Sequence, residues 1–189
     1  VVGFSQTRDA KGKIVDGPNA AKGFASFQQA CSKTYAPGCT HLGELYLLGI
    51  GTPADPVKAQ ALFAEACEAE DWYGCHLLGT LYETGKGVTA DIQKAKSNYE
   101  LACKKEVPQA CQQLGTLYEK GTLGTPDFGK AASNYKTACT EGLASACARL
   151  AKMEENGRGI TKNTKDAISH YKFACDAGSV EGCLGMALL

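Results

Sequence analysis

The sequence predicts an all-α solenoid, a row of helical hairpins each clipped by a disulfide. Three observations predict it. Ten cysteines stand in five pairs, each pair spaced by 8 residues and displaced from the previous pair by 36. Between them, small and apolar residues recur with the spacing of amphipathic helices. Glycines and capping residues punctuate the chain at the same period. A fixed period of this size marks stacked supersecondary units, none of which can bury its apolar face alone.

Residues 1–18 lack cysteine and fit the period poorly, so they are expected to form an N-terminal arm or a degenerate helix. A single solenoid is expected over 19–189. Its five repeats run 23–58, 59–94, 95–130, 131–166 and 167–189, the first looser and the last cut off partway. Each begins with a helix whose buried stripe is Ala59, Phe63, Ala66, Cys67 in one copy. The stripe returns as Ala95, Tyr99, Ala102, Cys103, as Ala131, Tyr135, Ala138, Cys139, and as Ala167, Tyr171, Ala174, Cys175. Asn19, Asp55, Asp91, Asp127 and Asn163 precede that face at one phase and read as N-caps. A second helix starts at the other cysteine of each pair, as in Cys75, Leu78, Gly79, Leu81, Tyr82. Its glycine should admit a partner helix closely, and Gly49, Gly85, Gly121 or Gly157 should end it.

The cysteine spacing allows several readings. On one continuous helix, residues 8 apart are about 12 Å apart, beyond the roughly 7 Å Cα limit of a disulfide. A turn must intervene, and Glu70-Asp71, Glu106-Val107-Pro108, Glu141-Gly142 and Ala177-Gly178 supply one. Pairing Cys31 with Cys39, Cys67 with Cys75, Cys103 with Cys111, Cys139 with Cys147 and Cys175 with Cys183 leaves no thiol over. The competing regular scheme, Cys39 with Cys67 onward, strands Cys31 and Cys183. Free buried cysteines are the plain alternative. A metal site would need Cys-x-x-Cys or His-x-x-x-His clustering, which the sequence lacks, so neither metal nor cofactor is expected. Disulfides imply an oxidising compartment, periplasmic or secreted in a bacterium.

Composition excludes other roles. Lys and Arg total 20 against 20 Asp and Glu, so no basic field exists to attract nucleic acid or anionic lipid. With 44% hydrophobic and 21% charged residues the chain should fold. No apolar run approaches the roughly 18 residues of a membrane helix, so membrane insertion is not expected. Val1-Val2-Gly3-Phe4-Ser5 carries neither an initiator Met nor the basic and apolar regions of a signal peptide, which is expected to have been removed or omitted. Gly185-Met186-Ala187-Leu188-Leu189 ends inside a helical pattern, so further repeats are expected to follow.

A small residue, Leu-Gly, Tyr, Gly-x-Gly and a capping Asp occur together in Cys75-His-Leu-Leu-Gly-Thr-Leu-Tyr-Glu-Thr-Gly-Lys-Gly-Val-Thr-Ala-Asp91. This pattern resembles the Sel-one-like repeat, an α-solenoid relative of the tetratricopeptide repeats. Cysteine at two positions 8 apart is similar to the bacterial subgroup of Helicobacter cysteine-rich proteins. The resemblance covers residues 19–189 and implies a right-handed α-α superhelix with each hairpin cross-linked. Leu123 departs from Gly-x-Gly in the third copy, and Ala151 and Glu154 replace Gly and Tyr in the fourth.

By analogy with tetratricopeptide repeats, the second helices line the concave face. Counting from the core Leu then puts these residues toward a ligand: Thr40, Glu44 and Leu47; His76, Thr80 and Glu83; Gln112, Thr116 and Glu119; Ala148, Lys152 and Glu155. Trp72 and Tyr73 add aromatic neighbours at a turn. The resemblance thus implies a scaffold for protein or extended peptide recognition; the paired Lys and Asn ladder by which some tetratricopeptide repeats clamp a peptide carboxylate is absent, so the groove, with its carboxylates, is expected to take a basic or neutral segment rather than an acidic peptide terminus. The competing reading is a penicillin-binding protein or weak β-lactamase, an activity assigned to some cysteine-rich members. Ser133-Asn-Tyr-Lys136 and Ser169-His-Tyr-Lys172 match the Ser-x-x-Lys nucleophile motif. Both fall at equivalent repeat positions, the copy at Ser97-Asn-Tyr-Glu100 lacks the Lys, and no Ser-Asp-Asn or Lys-Thr-Gly follows. No catalytic residue is therefore assigned.

Overall fold

A computed structural model describes residues 20–33 and 35–189, and the backbone of 7–8 and 14–15. Those four residues form an antiparallel pair, β1 (Thr7–Arg8) with β2 (Ile14–Val15). The rest of 1–18, and the cap expected at Asn19, lie outside the described residues. Everything else regular is helix, in ten segments among the described residues. This is the all-α repeat of hairpins that the cysteine period predicts.

The chain divides into two compact units, Val1–Asp91 and Ile92–Leu189. The first holds α1 (Ala20–Ser32), α2 (Ala36–Leu48), α3 (Pro56–Glu68) and α4 (Trp72–Thr84). The second holds α5 (Ile92–Lys104), α6 (Pro108–Lys120), α7 (Phe128–Thr140), α8 (Ala144–Asn156), α9 (Thr164–Asp176) and α10 (Val180–Leu188). Three residues join the helices of one hairpin and seven join successive hairpins.

The helix ends follow from local chemistry. The side chains of Asp55, Asp127 and Asn163 accept from the backbone N–H groups of Lys58, Lys130 and Asp166, each satisfying one orphan donor of a first turn. The Lys58 and Lys130 N–H bonds hold the Asp55 and Asp127 carboxyls below their usual range. Gly49, Gly85, Gly121 and Gly157 close the second helices in the left-handed region, with φ of 70°, 70°, 69° and 65°. In the seven-residue loops the N–H of Asp55, Asp91, Asp127 and Asn163 returns to the carbonyl of Tyr46, Tyr82, Tyr118 and Glu154, at 2.9 Å each time. The same backbone bond therefore closes all four loops, whichever side chain stands there.

Two kinds of packing alternate. Within a hairpin, the residue before the second cysteine must be small. A Cβ on Gly38, Gly74 or Gly182 would come within 2.7, 2.9 and 2.6 Å of the Cβ of Ala30, Ala66 and Ala174. The crossing admits nothing larger than alanine, which stands there as Ala110 and Ala146 in the other two copies, and the disulfide sits beside it. All five bridges join residues 8 apart, with Cα separations of 4.4–4.7 Å. Between hairpins, the aromatics of α3 and α7 fill the space over the preceding Leu-Gly. A Cβ on Gly43 would stand 2.6 Å from the Phe63 ring, and one on Gly115 2.7 Å from Tyr135. Phe63, Tyr99 and Tyr135 are wholly buried, each contributing roughly 1.5–3 kcal/mol by apolar burial.

The local departures in sequence are absorbed locally. The second glycine of Gly-x-Gly lies against the start of the preceding first helix. A Cβ on Gly87 or Gly159 would meet the carbonyl carbon of Pro56 or Phe128, and both glycines have positive φ. Leu123 cannot adopt that conformation cheaply; the turn there instead places Gly124 at φ 135°. In the fourth copy Ala151 is fully buried with Ala167 and Tyr171. Glu154, 5% exposed, meets His170 Nδ1 at 2.8 Å, a polar pairing where the other copies carry Tyr.

Candidate functional site

The rows expected to face a ligand divide by burial. Their first positions lie directly after a bridged cysteine, at the crossing of the helices, and pack inward. Thr40 is 1% exposed and its Oγ1 donates to Asp71 Oδ2 at 2.5 Å. His76 is 8% exposed and lies against Tyr73 at 5.6 Å between ring centroids. Burial pushes its imidazole down to about 4, so it is neutral at pH 7. Ala148 is fully buried. Gln112 is half-buried and its Oε1 accepts from Ser145 Oγ at 2.5 Å. Thr40 and Gln112 are thus bonded to the next repeat, and Thr40, His76 and Ala148 are buried.

The second and third positions stay nearer the surface, yet their carboxylates are engaged. Glu44 meets His41 Nδ1 at 2.9 Å. The Tyr135 hydroxyl donates to Glu119 Oε2 at 2.8 Å, and the Tyr171 hydroxyl to Glu155 Oε2 at 2.9 Å. Burial, reinforced by the Glu119 bond, pushes the Tyr135 phenol up to about 12. Burial and Glu155 likewise raise Tyr171. Thr116 Oγ1 lies 3.2 Å from the Tyr135 hydroxyl and donates to the Gln112 carbonyl. Thr80 Oγ1 donates to the His76 carbonyl at 3.1 Å. Glu83 is half-buried and Lys152 exposed. Tyr135 and Tyr171 thus each spend their one polar atom on the glutamate of the preceding second helix, as a buried phenol must.

One cavity of about 350 Å³ opens in the second unit, lined by Glu119, Arg149, Lys152, Met153, Asn156, Arg158 and Glu181. Glu119 and Lys152 belong to the predicted rows; the rest do not. Arg149 Nη1 lies 3.6 Å and Arg158 Nη1 3.9 Å from the two Glu119 oxygens. Arg158 covers the Phe128 ring at 3.9 Å, and Arg149 stands 5.9 Å from the centre of Tyr135. Arg158 is the middle residue of Gly157-Arg158-Gly159, of which the sequence reading used only Gly157, as a helix end. Its signal was its variation, since Ile50, Lys86 and Thr122 occupy the same phase.

The hydrolase motifs gather no machinery. Ser133, Lys136, Ser169 and Lys172 are all exposed on α7 and α9, and the Ser169 hydroxyl donates to the Lys165 carbonyl one turn back. The Cys31 and Cys39 sulfurs lie near the Glu65 carboxylate, but they are bonded to each other and offer no thiolate. Among the described residues, no helix is long and apolar enough to cross a membrane.

The Sel1 repeat matches residues 36–71, 72–107, 108–143 and 144–179. A Sel1 repeat protein from Oxalobacter formigenes is similar at 29% identity and TM-score 0.82, over 86% of this chain and 66% of that one. A protective antigen present in uropathogenic Escherichia coli strains, with an SLR fold, is similar at 27% identity and TM-score 0.79, over 85% and 34% respectively. Helicobacter pylori cysteine rich protein B is similar at 29% identity and TM-score 0.57, over 72% and 96%. This chain thus spans about a third of the Escherichia coli protein and two thirds of the Oxalobacter one. No curated protein matches. The matched repeats open on a second helix, so Cys67–Cys75, Cys103–Cys111 and Cys139–Cys147 each bridge consecutive copies. The chain belongs to the Sel1 repeat family, as a cysteine-rich member whose successive repeats are stapled by disulfides.

Proposed function

We propose that this protein is an exported, rigid scaffold that recognises an extended protein or peptide segment through the surface of its second helices, the side read from the sequence as concave. The observation that carries the reading is the cavity in the second unit. Its lining includes Glu119 of α6 and Lys152 of α8, two positions expected to face a ligand by analogy with tetratricopeptide repeats. The five bridges support export, because cytosolic thiols are kept reduced. They also support recognition by a fixed surface, since a cross-linked hairpin has less freedom to lose on binding.

The test is photo-cross-linking in the native envelope. A photoreactive amino acid is placed at Lys152 or Asn156 on α8, and as controls at Lys136 on α7 or Lys172 on α9, all exposed residues. Adducts to one protein partner, identified by mass spectrometry, are expected from the α8 positions and not from α7 or α9. Adducts confined to the α7 and α9 positions overturn the reading.

A further inference from the structure

The fourth second helix departs from its copies on its outward face. Arg149 stands where the other repeats have His41, Leu77, Gln113 and Gly185, and Lys152 where they have Glu44, Thr80 and Thr116. Structural positions recur in a repeat protein; these cations do not, so the repeat's own packing does not require them. They sit 3 residues apart, with Asn156 a further 4 along, and residues at such intervals share one helix face. Arg158 follows the Gly157 cap and closes the same cavity, with Glu119 of α6 and Glu181 of α10 also in its lining.

The charges decide what fits. Three cations and two carboxylates line the cavity, leaving one positive charge in excess. Glu119 is already shared between the Tyr135 hydroxyl and the two guanidinium groups. At 3.6 and 3.9 Å those ion pairs are too long for hydrogen bonds, so Glu119 leaves most of the guanidinium donors unspent. The aromatic contacts to Phe128 and Tyr135 orient the two guanidinium planes. A planar fork of donors matches a carboxylate bidentately. With one positive charge in excess, a single carboxylate brings the cavity to neutrality, whereas a dianion such as phosphate would leave it with net negative charge. The volume, about 350 Å³, lies at the small end of ligand sites and admits one anchoring residue rather than a whole peptide.

We propose that the cavity formed by Arg149, Lys152, Asn156 and Arg158 is a carboxylate-binding anchor, taking either the C-terminal carboxylate or an Asp or Glu side chain of the bound segment. The proposal rests on the second-helix surface being the recognition face. It replaces the basic or neutral partner expected from the sequence, because the glutamates behind that expectation are engaged internally in this unit.

The experiment titrates three short peptides into the full chain: one with a free C-terminal carboxylate, one capped with an internal Asp, and one capped with Asn instead. Nitrogen-edited NMR follows the Arg Nε–H and Asn Nδ2 signals. Either carboxylate peptide, or both, should shift the Arg149, Arg158 and Asn156 signals with millimolar dissociation constants, and the responding peptide identifies the source. The Asn peptide should shift none. Arg149→Gln with Arg158→Gln should weaken binding at least tenfold, while Lys136→Gln with Lys172→Gln should leave it unchanged. Unaltered melting of each variant excludes misfolding. Equal response to the Asn peptide, undiminished binding by the double Arg variant, or equal displacement by inorganic phosphate overturns the carboxylate anchor. Cross-links from α8 without peptide binding sink the anchor and leave the scaffold standing; peptide binding with cross-links only from α7 and α9 does the reverse.

Discussion

His76 illustrates why single residues were the hardest part of the candidate site to read. Counting in steps of 3 and 4 from a core Leu places it on the outward row, but a second helix touches both its hairpin partner and the next repeat, so its buried arc is wider than one stripe. Thr40, His76 and Ala148 fall inside that arc. Sequence gave their side-chain chemistry without the neighbours that absorb it. A consequence follows for acid stability. Burial lowers the His76 pKa to about 4 in the folded chain, against about 6.5 unfolded. Between those values the unfolded state binds more protons, so stability contributed by the neutral ring is complete above about 6.5 and declines as pH falls toward 4. The loss by pH 4 amounts to at most about 3 kcal/mol. Urea unfolding at pH 7 and pH 4.5 should show a smaller acid loss in His76→Gln than in wild type. Equal losses in the two proteins would refute the assignment.

Elements were far more legible, because helix ends are decided by short-range chemistry. Asp55, Asp127, Asn163 and the four closing glycines stand where the period put them. What the sequence could not rank was the two helix interfaces. Phe63 over Gly43 and Tyr135 over Gly115 fill contacts between hairpins, whereas at the bridged crossing within a hairpin small residues meet and a covalent bond supplements them. The hairpin interface should therefore depend on its bridge. A closed loop of nine residues is worth roughly 2.5 kcal/mol by chain entropy. Replacing both Cys103 and Cys111 by Ala keeps small residues at the crossing and removes only the clip. Denaturant unfolding should lose about 2 kcal/mol while the far-ultraviolet helical signal persists at low denaturant. A loss of helix in the absence of denaturant would mean that the bridge organises the fold rather than constraining its unfolded chain.

At the scale of the molecule, the same arithmetic links fold to compartment. Each repeat leans only on its neighbours, so small interface terms accumulate along the array. Five clips at roughly 2.5 kcal/mol each are together comparable to the whole net stability of an ordinary domain, about 5–15 kcal/mol. The fully reduced chain should therefore be marginal at best, although its sequence still favours helix at every cap. Reduction with a phosphine followed by alkylation should lower the melting temperature by 20 °C or more, or abolish the cooperative transition at 37 °C, while the oxidised protein melts cooperatively. Alkylation before reduction should label no cysteine, since every thiol is paired. A reduced protein melting within about 5 °C of the oxidised one would show that helix packing alone suffices, and the bridges would then give no reason to place the protein in an oxidising compartment.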